Sequence, residues 1–220
     1  MNQDSVKFIG DANMSEFASL FAFWRWAFSD ICDDDIKGIF AEWMVGTLLG
    51  LPMHESRRVS WADSDLILPS STRVEVKASA VWQSWKLVNE NGTSKPLPVP
   101  VSLDPARIRF GGLQARTAVT VARADEAPRF KSDFYVFCMH AQTDPASWSA
   151  WNLSQWEFYL LSQPELVAAK IGQSISLARL RQLQSPMTAR QFQDYAMQVL
   201  GLPAAPNNSL KADVLDGPQP

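Results

Sequence analysis

Residues 61–85 read WADSDLILPSSTRVEVKASAVWQSW, and this stretch decides the fold. Two short apolar runs, Leu66-Ile67-Leu68 and Val74 with Val76, flank the polar turn Pro69-Ser70-Ser71-Thr72. Runs bounded by Ser and Pro clusters predict the two strands of a hairpin. Side chains alternate along a strand, so Glu75 and Lys77 share one face and the valines the other. An antiparallel pairing also brings Asp65, at the head of the first strand, to the Glu75 face. Two carboxylates and an ammonium gathered there suit a divalent metal and a water better than a hydrophobic core.

Working outward, the whole chain has 220 residues, enough for one domain over 1–200 followed by a polar tail over 201–220. A hydrophobic fraction of 46% with 20% charged residues supports a full core. No apolar run approaches the roughly 20 residues of a membrane span. The N-terminal MNQDSVKFIGDANM lacks a basic-then-apolar leader, and Cys32 and Cys138 form no CxxC. A cytoplasmic protein without disulfides is the expectation. Net charge of −3 gives no global attraction to nucleic acid. Arg57, Arg58, Arg73, Lys77, Lys86, Arg107, Arg109, Arg116 and Arg123 nevertheless concentrate in the middle, where a local phosphate-binding groove can form.

Upstream, Asn13 and Glu16 resemble a capping box for a helix from Ser15 to about Phe28, whose aromatic spacing predicts a buried packing helix. Asp33-Asp34-Asp35 caps the next helix, with Ile36, Ile39, Phe40, Trp43 and Thr47 as its core stripe and Gly50 as its C-cap. Glu42 lies about 110° from that stripe. Gly38 and Gly46, one turn to either side, predict close approach of something to the helix beside it. Downstream, alternation continues through Val81, Gln83 and Trp85, and residues 89–105 read as a loop. Short strands are expected at Arg107–Phe110 and Thr117–Val121, with a buried strand at Asp133–Met139. The aromatic run Trp148–Leu161 pairs as a strand or wraps the core. Helices are predicted from Glu165 to Lys170, Ser176 to Gln184 and Thr188 to Leu200, ahead of a disordered tail.

The chemistry follows from residue types. Mg²⁺ takes one or two carboxylates plus waters and phosphate oxygens, which Asp65, Glu75 and the Val76 carbonyl would supply. Lys77, flanked by two carboxylates, suits water positioning and compensation of transition-state charge. Glu42 would complete the site through a water or a second ion. An ion-paired Glu-Lys couple on a solvated strand face is the plainer reading of the same residues.

Glu42, Asp65 and Glu75-Val76-Lys77 resemble the PD-(D/E)xK nuclease signature, in its helix–strand–strand order. The resemblance extends through FWRWAFSD, KGIFAEWMVGTLLG, DFYVFCMHA and WNLSQWEFYLL to a group of small bacterial proteins of that superfamily, over about residues 20–185. It implies an α/β (α+β) fold with a restriction-endonuclease-like core, a central mixed β-sheet flanked by helices. It implies Mg²⁺-dependent endonuclease activity on DNA, with RNA as a further substrate and Mn²⁺ as a substitute metal. By position, Asp65, Glu75, Val76 and Glu42 are metal ligands and Lys77 the catalytic lysine. Gln83 resembles the supporting glutamine of RecB-like members. Ser64 stands where the signature has proline.

Rival machinery is missing from the sequence. Two histidines, His54 and His140, are too few for an HNH site or a His-based zinc centre. There is no GxxxxGK[ST] loop and no GxSxG. Gly111-Gly112 reads as a turn. The competing reading is a nucleic-acid-binding or protein-interaction module that keeps the fold without cutting. The aromatic surplus also allows a homodimer interface.

Overall fold

The computed structural model describes residues 19–55, 58–59, 62–83, 86–88, 94–96, 101–115 and 127–203. The expected Asn13 cap, the strand at Thr117–Val121, Trp85, and the tail beyond Pro203 lie outside them. The first helix, α1 (Leu20–Phe28), is capped by Ser19, whose Oγ accepts the Ala22 N–H at 3.2 Å. It is not the buried helix its aromatic content predicts, because none of its residues is buried and Trp26 is 84% exposed. Its aromatics are spread around the helix rather than confined to one stripe, and they pack partly on each other. The Trp24 and Phe28 rings, one turn apart, lie 5.0 Å centre to centre.

Helix α2 (Asp34–Leu48) begins as expected, with Asp33 Oδ1 accepting the N–H groups of Asp35 and Ile36. It ends in a Schellman arrangement: Gly50 N–H donates to the Thr47 carbonyl and Leu51 N–H to that of Gly46. Gly50 sits at φ +73°, and a Cβ there would meet nothing. Gly50→Ala should therefore cost only backbone strain, about 1 kcal/mol. A melting temperature about 2–4 °C lower would register it. The core stripe of α2 differs from expectation. Lys37, Ala41, Met44, Val45 and Gly46 are buried, while Ile36, Ile39, Phe40, Trp43 and Thr47 are half-buried or exposed. Small side chains let the helix lie close to the sheet, and the bulky aromatics are displaced to the rim.

The hairpin forms as read. Strand β1 (Leu66–Ile67) pairs antiparallel with β2 (Arg73–Ala80), Leu66 opposite Val74 and Ile67 opposite Arg73. After a bend at Val81 the chain continues as β3 (Trp82–Gln83). Residues 89–105, expected to be a loop, contain β5 (Ser94–Pro96), which pairs antiparallel with β4 (Lys86–Val88) just before them, and β6 (Val101–Ser102), which pairs with β3. Pairing between backbones, which composition does not register, decides this. A 3-10 turn at Pro105–Arg107 leads to β7 (Arg109–Phe110).

Strand β8 (Phe134–His140) runs parallel to β2, and β9 (Trp156–Ser162) runs antiparallel to β8. The result is a mixed four-stranded sheet in the order β1-β2-β8-β9. Strand β8 is interior and covered on both faces, so its sequence is a continuous apolar run rather than an alternating one. Helix α3 (Gln163–Ala168) follows β9 directly from a Ser162–Glu165 capping box. Strand β10 (Ile175–Ser176) pairs with β7, and α4 (Leu177–Leu183) and α5 (Ala189–Leu200) complete the chain. One face of the sheet packs on α2 and α5 through Ala41, Val45, Val74, Val76, Cys138, Phe158 and Phe192. The other packs on the 108–113 segment, α3 and α4 through Tyr135, Phe137, Tyr159, Phe110, Leu166 and Leu180. Both cysteines are free and buried. Among the described residues no helix is long and apolar enough to cross a membrane.

Candidate functional site

The site lies where the β1–β2 pairing stops and β2 runs on, without a further strand on that edge among the described residues. Continuing the register from Leu66 opposite Val74 sets Asp65 opposite Glu75, and directly opposed residues share a face. Val74 and Val76 belong to the α2 side, so Glu75 and Lys77 project to the other side. There, Lys77 Nζ donates to Glu75 Oε1 at 2.7 Å, and the two side chains keep 23% and 18% of their exposure. The segment after β7 comes close above them. Gly112, at φ +66°, would place a Cβ 3.6 Å from Lys77 Nζ. The predicted turn at Gly111-Gly112 thus borders the lysine.

Asp65 caps the open edge, its Oδ2 accepting the Val76 N–H at 2.7 Å. The N–H and carbonyl of one strand residue face the same side, so the Val76 carbonyl also points to the edge that Asp65 occupies. Burial, with the Glu75 charge second, pushes the Asp65 carboxyl up to about 7, against the Val76 hydrogen bond, which favours the ionised form. Glu42 adds to the rise and Lys77 offsets part of it. Carboxylates thus crowd one partly buried point without a full counter-charge.

Two residues join that point that the sequence pattern does not single out. Ser132, fully buried, donates its hydroxyl to Glu75 Oε2 at 3.3 Å. Arg58 forms a two-pronged ion pair with Glu42, Nε to Oε2 at 2.6 Å and Nη2 to Oε1 at 2.7 Å. Arg58 stood only among nine clustered basic residues, and a lone serine carries no signal at all. Both partners come from segments distant in sequence from the groups they hold.

The four acidic and basic candidates are not equally placed. Glu75 and Lys77 share the side of the sheet away from α2, Asp65 sits at the edge, and Glu42 on α2 lines the cleft with Asp65, already engaged by Arg58. Gln83 is buried on β3, with Nε2 donating to the Ala80 carbonyl at 3.1 Å. The glycines flanking Glu42 divide in role. Gly46 accommodates the Met53 side chain, which a Cβ would strike, while Gly38 faces open space. A cleft of about 660 Å³ opens beside Glu42 and Asp65, walled by Ile39, Trp43, Leu51, Met53, Arg58 and Leu68. Glu75 and Lys77 do not line it.

Among the described residues no group of three or more His, Cys, Asp or Glu side chains is arranged to hold a metal. The oxygen donors nearest this edge are the Asp65 carboxylate, bound to the Val76 N–H, the Val76 carbonyl on the same edge, and Glu75, whose charge acts on Asp65. That set is oxygen-only, the ligand type a hard cation takes. No protein-family model, curated protein or solved structure matches the chain.

Proposed function

We propose that the protein is a metal-dependent nuclease, an Mg²⁺-requiring endonuclease hydrolysing phosphodiester bonds in DNA on a restriction-endonuclease-like core. The observation that supports this reading best is the meeting of Asp65, Glu75 and Lys77 at the open end of the β1–β2 hairpin. A helix carboxylate, Glu42, precedes the hairpin in the same order as in the nuclease signature. Asp65, Glu75 and the Val76 carbonyl would hold Mg²⁺ or Mn²⁺. When bound, that ion supplies Lewis-acid polarisation of the phosphodiester and charge for the leaving oxygen. Lys77 has the protein's own chemical task. Its ammonium, steadied by Glu75 at 2.7 Å, orients the attacking water and compensates the charge that builds on the phosphate oxygens. Ser132 fixes the second Glu75 oxygen, so the carboxylate presents a set geometry. Gln83 stiffens the bend that follows β2.

Plasmid nicking tests the reading. Conversion of supercoiled to open-circular DNA should require Mg²⁺ and stop with EDTA. A second reading, binding without turnover, draws on the closed Glu42–Arg58 and Glu75–Lys77 pairs, which leave these groups partnered. Retention of DNA on a filter without cleavage in either metal would favour it. Metal binding has its own readout. Mg²⁺ should raise the melting temperature at about pH 8, where Asp65 is ionised, and much less at about pH 5. An equal shift at both values would separate the metal from Asp65.

A further inference from the structure

The cleft beside Glu42 is walled mostly by apolar side chains, which a site for duplex phosphates does not need. Its volume, about 660 Å³, lies in the range of clefts that enclose small flat ligands, about 300–1,000 Å³. Trp43 forms part of its wall and stays 43% exposed, although it sits one residue from Glu42. Trp151, 67% exposed, packs edge-on against Trp43 with ring centres 6.0 Å apart. Phe40 braces both, at 6.0 Å from Trp43 and 5.2 Å from Trp151. Trp156, buried, supports Phe40 from below at 6.1 Å. Two exposed indoles are therefore held in fixed orientation by a braced aromatic stack. At the same cleft, Arg58 presents a guanidinium whose planar fork fits a phosphate as well as the carboxylate it now holds. Asp65 joins this cleft to the Glu75–Lys77 side of the sheet.

We propose that this cleft takes an unpaired nucleotide, so that the substrate is single-stranded nucleic acid or a strand with an unpaired end. One base stacks on Trp43 in the cleft wall and the next on Trp151 beside it, and Arg58 exchanges Glu42 for the adjoining phosphate. Aromatic faces bind bases without reading their sequence, since every base offers a π-face, and a duplex hides those faces in its own stack. Arg58 is the cation of the cleft, set against the carboxylates of Glu42 and Asp65; it takes the backbone contact, and the apolar walls with Trp43 take the base. The identity of the ligand as nucleic acid rests on the proposed nuclease reading; the choice of single strand over duplex rests on the aromatic stack.

The test is equilibrium binding of the full chain in EDTA, which needs neither metal nor turnover. An oligothymidylate of about 20 nucleotides should quench tryptophan fluorescence and bind at least roughly tenfold more tightly than a duplex of equal length. Trp151→Ala, at an exposed position, should weaken single-strand binding by roughly tenfold. Trp43→Ala should do the same and Trp43→Phe should retain most of the affinity, with circular dichroism reporting that each variant is folded. Arg58→Ala should lower the salt dependence of binding by about one phosphate contact. Equal affinity for duplex, or unchanged single-strand affinity in folded Trp151→Ala, overturns the proposal. So does a Trp151-dependent dimer in sedimentation with no oligonucleotide bound. Single-strand binding through the tryptophans without cleavage in any metal would instead sink the nuclease reading and leave this one standing.

Discussion

Replacing Asp65 by Asn should stabilise the fold above neutral pH and remove Mg²⁺-dependent cleavage. The carboxyl titrates near 7 in the folded protein against 3.8 for an ordinary aspartate. A folded-state value raised in this way favours folding at low pH, where the proton is bound. That contribution is lost as pH climbs from about 4 through about 7, leaving a buried charge beside Glu75. Asn keeps the oxygen that accepts the Val76 N–H and removes that charge. The gain at about pH 8 should be on the order of 2 kcal/mol, because the new amide N–H₂ must itself be satisfied. Melting curves without metal should show a rise of about 4–8 °C at that pH, shrinking toward zero near pH 4. A lower melting temperature at pH about 8 would mean that the carboxylate is welcome there without any cation. Cleavage should fall beyond the roughly 100-fold that loss of an outer partner of a metal site costs. A variant that cuts as well as the parent would remove Asp65 from the site.

Lys77→Met should have the opposite effect on stability and a similar one on activity. Met keeps the aliphatic stem and deletes the ammonium that donates to Glu75 at 2.7 Å. Glu75 is then left beside Asp65 with Ser132 as its partner, and the two carboxylates repel. The pair is only partly buried, so the cost should be about 1–3 kcal/mol, less than the roughly 3–5 of a fully buried pair. Cleavage should drop by about 10²–10³-fold, the effect of losing one donor aimed at developing charge. Lys77→Arg separates charge from geometry. Its guanidinium keeps the pair with Glu75, but its planar fork places the charge and the N–H donors differently from the compact ammonium. Stability should recover and single-turnover cleavage should not. Recovery of both would reduce Lys77 to a counter-charge.

These two variants test one site by opposite thermal shifts, which a merely misfolded protein cannot imitate. The hairpin that carries them was legible in advance because its alternation is local: Val74, Glu75, Val76 and Lys77 declare their faces by position alone. The same holds for the cap at Asp33 and for Gly50 at φ +73°, each set by neighbours within a few residues. Where the reading failed, distant residues decided. The stripe of α2 was taken from its largest apolar side chains, whereas contact with β2 selected Ala41 and Val45 and moved Phe40 and Trp43 to the rim. Helix α1 shows periodic aromatics but meets no surface that buries any of its residues.

By itself, then, the sequence determined that Glu75 and Lys77 share one face of β2 and the valines the other, because strand parity follows from covalent geometry. Uninterrupted apolarity also marked the buried strand, expected at Asp133–Met139 and found at Phe134–His140. Only tertiary structure decided that Asp65 caps the Val76 N–H, that Ser132 reaches Glu75, and that Arg58 closes on Glu42. Those contacts join segments separated by 11, 57 and 16 residues. Their formation depends on how the sheet edge, the β2–β8 pairing and α2 converge, and no local pattern encodes that convergence. The exposed pair Trp43 and Trp151 belongs to the same class. Trp43 reads as core in the sequence, yet both rings pack against Phe40 and stay exposed.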